Sequence, residues 1–150
     1  MRTILMLLAV AISLAGPLPA MAQAPKVMME NQMKSAGGRK IPGPELRTLI
    51  IGNTVYVLVL KQFGNVSAGT VTMAYYRDER VRVQKLANGR KVEQNWWMEG
   101  DNICVEQRSQ DSQRQCWSGW DLADTRYFCL QPAGDCFVAV RYAPGNAENL

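Results

Sequence analysis

From residue 54 onward, short stretches rich in Val, Ile, Leu, Tyr and Trp alternate with clusters of Gly, Asn, Asp and Pro. Period-two alternation bounded by turn residues marks strands. Residues 70–77 are a clear case: Val71, Met73 and Tyr75 share one face, and Thr72, Ala74 and Tyr76 the other. Residues 54–60 are apolar on both faces, which predicts a strand covered on both sides. Further strands are expected at 81–86, 91–98, 103–108, 115–120, 126–130 and 136–142. Asn88-Gly89 adopts positive φ at low cost, which predicts a two-residue type I′ hairpin joining 81–86 to 91–98. No helix of crossover length separates any two of these strands, so they pair antiparallel. The expected fold is all-β: an antiparallel meander of about eight short strands closing as a small lipocalin-like barrel, or a compact sandwich.

Before residue 54 the pattern changes. Gly43, Pro44 and Glu45 suit a helix start, Leu46, Leu49 and Ile50 share one helical face, and Gly52-Asn53 supplies a stop. One short N-terminal helix is therefore expected, plugging an edge or mouth of the sheet. Residues 23–43 show no periodic apolar face and read as a flexible linker. Residues 1–22 read as a signal peptide: Arg2, an apolar run from Ile4 to Leu14, then Ala20-Met21-Ala22 before a cut at Gln23. That run is too short for a bilayer, which needs about twenty residues, so the mature chain is expected to lack a transmembrane segment. Residues 44–150 then form a single barrel-like domain, periplasmic or secreted.

Charge alters this picture only once it is located. The chain carries a formal net charge of +4, but residues 41–150 hold twelve Lys/Arg and twelve Asp/Glu. A neutral domain with a short basic lead-in is not an electrostatic nucleic-acid binder. The four cysteines, Cys104, Cys116, Cys129 and Cys136, all lie in the last third. In an exported chain they read as disulfides. Each of the pairs 104–116 and 129–136 lies on two neighbouring predicted strands, which selects local pairing among the possible connectivities.

Several residues together carry a resemblance. Gly52-Asn53-Thr54 follows the short helix, Trp97-Met98-Glu99-Gly100-Asp101-Asn102-Ile103-Cys104 resembles a strand–turn–strand with a tryptophan ahead of G-D-x-[LI]-C, Cys116 follows, and Gly145-Asn146 stands near the end. This set resembles a group of small exported proteobacterial, periplasmic proteins whose domain has no assigned function. Asn95 stands where that pattern has a glycine, and Asp78-Glu79-Arg80 replaces its Asp-Gly turn. The resemblance implies a periplasmic β-domain and brings no activity, substrate or catalytic residue with it.

The chain has no histidine, which removes Ser-His-Asp and Cys-His catalysis and His-based metal sites. Glu99 with Asp101, and Asp121 with Asp124, fall in predicted turns where acidic residues serve turn geometry. Met28, Met29 and Met33 offer thioethers of the kind that bind Cu(I), but read more simply as apolar residues of the linker. No catalytic residue, metal site or cofactor is predicted, and the chain does not read as an enzyme. The aromatic set is the stronger lead. Trp96, Trp97, Trp117 and Trp120, with Arg114 and Arg126, form a candidate binding surface for a protein or envelope component. The alternatives are a carrier for a small apolar ligand, or an inhibitor of a secreted hydrolase. Tyr56, Leu58, Met73, Tyr75 and Trp96 are expected to point inward and fill the barrel, which favours the surface reading.

Overall fold

The computed structural model describes residues 24–86, 88–106 and 114–150. The expected signal peptide and its cut at Gln23 lie outside the described residues. Eight strands form the body: β3 (Asn53–Val59), β4 (Val71–Tyr76), β5 (Val81–Lys85), β6 (Lys91–Glu99), β7 (Asn102–Glu106), β8 (Arg114–Leu122), β9 (Thr125–Gln131) and β10 (Asp135–Pro144). Each pairs antiparallel with the next, and β10 pairs back onto β3 from Val138↔Val59 to Pro144↔Asn53. The meander is thus a closed eight-stranded barrel, which leaves no edge in the ring.

The helix α2 (Gly43–Ile50) starts with Pro44 in its first turn and buries Leu46 and Ile50 completely. These side chains and Ile41 join Val55, Trp96 and Phe128 in one core, so α2 closes one end of the barrel. Its close approach depends on Gly119. A Cβ there would sit 3.0 Å from Leu46 Cδ1 and 3.3 Å from Ile41 Cδ1.

The 23–43 linker reading is corrected over residues 28–43. This segment forms a strap made of β1 (Met28–Met29), α1 (Glu30–Ser35) and β2 (Arg39–Lys40). β1 pairs with β10 and β2 with β8, so the strap crosses the outer face of β10, β9 and β8. Met33 is fully buried there among Met28, Trp120, Tyr127 and the Cys129–Cys136 bridge. A strap one element thick buries only isolated residues, so no periodic face shows in the sequence. The structure therefore has two short helices where one was expected.

Both disulfides pair as predicted, Cys104 with Cys116 and Cys129 with Cys136, each between directly opposed positions of neighbouring strands. The Asn88-Gly89 hairpin exists with a different length. Lys85 pairs with Lys91, and the Leu86 amide donates to the Arg90 carbonyl at 2.9 Å, leaving three loop residues. Gly89, at φ 80°, takes the left-handed position such a loop requires. No helix of the described residues is long and apolar enough to cross a membrane.

Candidate functional site

In a closed barrel, alternate residues face the interior. The pairing fixes which ones. Val55, Val57 and Val59 of β3 point inward beside Thr72, Ala74 and Tyr76 of β4, since Val55 opposes Ala74 and Val57 opposes Thr72. Tyr76 opposes Arg82, and Ala74 opposes Gln84, so those two polar residues of β5 also face inward. Arg82 in turn opposes Gln94 of β6, two residues before the inward Trp96. A β-bulge between Cys136 and Val138 turns both Phe137 and Val138 to the interior.

This arrangement leaves a cavity of about 290 Å³ inside the barrel, toward the end opposite α2. One wall is apolar: Val57, Val59, Phe63, Val66, Ile103, Trp117, Phe128, Phe137 and Val138. Phe63 comes from the β3–β4 loop and packs on Phe137 and Trp117, with ring centroids 5.0 and 6.0 Å away. The facing wall, on β4, β5 and β6, carries the polar side chains of Tyr76, Arg82, Gln84 and Gln94 together with Thr72, Ala74 and, just past β5, Leu86, while Gln115 lies on β8 two residues from Trp117. Arg82 holds that wall together. Its Nε and Nη2 donate to Gln94 Oε1 at 3.0 and 2.8 Å, Nη2 to Gln84 Oε1 at 3.3 Å, and Nη1 to the Tyr76 hydroxyl at 3.0 Å. Tyr76 is itself fixed edge-on to Trp96, centroids 5.1 Å apart, and the Trp96 indole donates to the Asp78 carbonyl at 2.8 Å.

The expected interior is corrected at four of its five positions. Tyr56, Leu58, Met73 and Tyr75 lie on the outer face, and only Trp96 points inward. Tyr56 bonds outside the barrel to Glu148 at 2.6 Å, which raises its pKa, and carries Arg141 over its ring. The interior therefore holds smaller side chains than expected, and this is why a cavity remains.

The six candidate surface residues do not form one patch. Trp96 is core. Trp117 is cavity wall. Trp120 is buried under the strap, its indole donating to Glu30 Oε1 at 3.0 Å. Trp97 is half-buried on the outer face, opposite Cys104. Arg114 is on the same face, ion-paired with Glu99 at 2.8 Å. Arg126 sits at the α2 end, 2.6 Å from Asp121 and over the ring of Tyr142. It lines a second, more open cleft of about 590 Å³ with Asp121 and Tyr142, whose phenol pKa is raised by burial. Among the described residues, the one grouping of metal-ligand type is Glu99 with Cys104 and Cys116. Both sulfurs are tied up in their disulfide, which leaves a single carboxylate.

Arg82, Gln84 and Gln94 do not stand out in the sequence. The available signal was parity: a core Trp96 places Gln94 on the inner face. No family model, no curated protein and no solved structure matches this chain.

Proposed function

We propose that this protein is a carrier that holds one small, largely apolar molecule inside the barrel, in the periplasm or outside the cell. The observation that carries this reading is the cavity of about 290 Å³, walled on one side by Val, Ile, Phe and Trp side chains. Small-molecule sites take this form, concave and mostly apolar with a few placed polar groups. A dry cavity of ~150 Å³ holds a benzene ring, so this one accommodates on the order of ten to twelve non-hydrogen atoms. At about 0.5–0.7 kcal/mol per atom, within the range seen for small ligands, the Kd falls on the order of 1–100 μM. The two disulfides support an oxidising compartment.

The test is calorimetric titration of the full mature chain with 1-decanol, beside an Ala74→Phe variant. Ala74 lines the cavity and is 3% exposed, so the added ring occupies the space a ligand needs. The wild-type chain is expected to bind one equivalent, and the variant to bind at least tenfold more weakly while staying folded by circular dichroism. A wild-type chain that takes up no decanol, or a variant that binds it equally well, overturns the carrier reading.

A further inference from the structure

One cluster in the cavity lining, Arg82 with Gln84, Gln94 and Tyr76, leaves mainly donors unspent. A guanidinium has five N–H donors, and Arg82 places four bonds on Gln94, Gln84 and Tyr76. All of those acceptors are neutral, and no ion pair among the described residues includes Arg82. The amide oxygens of Gln84 and Gln94 are turned to Arg82, and their NH₂ groups have no acceptor among the described residues. The Tyr76 oxygen accepts from Arg82, so its own proton is also left to donate. A cation in a partly desolvated site, ringed by further donors, is matched by an anion with several lone pairs.

We propose that the ligand is a small amphipathic monocarboxylate, its carboxylate held by Arg82, Gln84, Gln94 and Tyr76 and its hydrocarbon part against Trp117 and Phe137. The inference rests on the carrier reading and narrows it to a substrate class. The geometry serves both halves of such a molecule. Arg82 and Gln94 are directly opposed across β5 and β6 and line the same cavity; beyond its four bonds Arg82 keeps one N–H, and the Gln94 amide keeps its NH₂. Trp117 and Phe137 stand on the apolar wall of the same cavity, with ring centroids 5.7 Å apart. A cationic amphiphile of the same length would meet Arg82 with like charge, and an alcohol would satisfy at most one or two of the donors.

The experiment compares decanoate, 1-decanol and decylamine by calorimetry at neutral pH, each below its aggregation threshold, on the full mature wild-type chain, Arg82→Met and Arg82→Lys. In the wild type, decanoate is expected to bind at least tenfold more tightly than decanol, and decylamine most weakly. Arg82→Met removes the charge at similar length, so decanoate should lose its advantage while decanol binds as before. Arg82→Lys keeps the charge without the fork and should retain part of the preference. Decanoate binding no better than decanol to the wild type overturns the monocarboxylate inference and leaves the carrier reading standing. A preference that survives Arg82→Met in a folded variant does the same for the role of Arg82. If Arg82→Met does not fold, the wild-type series and Arg82→Lys decide alone. Failure of all three probes to bind the wild type removes the carrier reading itself.

Discussion

Met33→Ala separates the strap from a mobile linker more cleanly than any other substitution. Met33 is fully buried between α1 and the outer face of the barrel, against Trp120, Tyr127 and the Cys129–Cys136 bridge. Truncation to Ala removes three heavy atoms from that contact. At about 0.8 kcal/mol per buried methylene-sized group, the transfer loss is about 2 kcal/mol. A cavity contribution adds to this, and buried Met→Ala changes span about 2–5 kcal/mol. The strap is one element thick and can settle onto Trp120, so the expected cost is near the lower end, about 2–3 kcal/mol. That cost falls first on strap docking, because β1 and β2 are each joined to the barrel by two residue pairs only. Native-state hydrogen exchange reads it directly. The amides of Glu30, bonded to Gly134, and of Ile41, bonded to Gly119, should exchange roughly 30–150-fold faster, at about 1.4 kcal/mol per tenfold. Amides inside the barrel, such as Trp96, should change far less. Strap amides that already exchange at unprotected rates in the wild type, or that do not respond to the substitution, would refute the reasoning and restore the linker.

Two further outcomes follow from the same geometry. Gly119→Val should push Leu46 and Ile41 off the barrel end, since even a Cβ there meets them at 3.0 and 3.3 Å; overpacking of this kind costs about 1–3 kcal/mol, and an unchanged urea midpoint would contradict it. Acid should weaken the α2 end. The hydrogen bonds from Arg39 hold the Glu45 carboxyl below its ordinary value, and the backbone N–H groups of Arg80 and Val81 do the same for Asp78. A depressed carboxyl stabilises the fold above its unfolded pKa, about 4, and that contribution is lost as pH falls through the lower folded value. Urea midpoints measured from pH 7 to 3 should drop below about pH 4.5, with a shallower drop in Glu45→Gln; superimposable profiles would refute it.

The eight barrel strands and their order, their antiparallel pairing, the position of α2 and both disulfides were legible in the sequence, because each follows from local patterning and short connections. Turn residues punctuate the strands, and cysteines on consecutive strands of a meander are neighbours by construction. Three features were not legible. The hairpin at 87–89 has one residue more than Asn88-Gly89 alone predicts, and in a structure of period two a one-residue slip changes which side chains oppose each other. The facing of β3 and β4 could not be read from polarity. Both faces of residues 54–60 are apolar, while Arg82, Gln84 and Gln94 point inward, against the usual rule. The strap buries Met33 through contacts with residues some ninety positions further along the chain, which leave no periodic trace at residues 28–40. Sequence by itself thus determined a disulfide-stapled antiparallel β-domain with a helix at its start. Only closure of β10 onto β3 decided which residues face inward, and so placed an arginine and two glutamines in a cavity rather than at the surface. The physical reason is that alternation defines two faces, and the inside is chosen only when the ring closes.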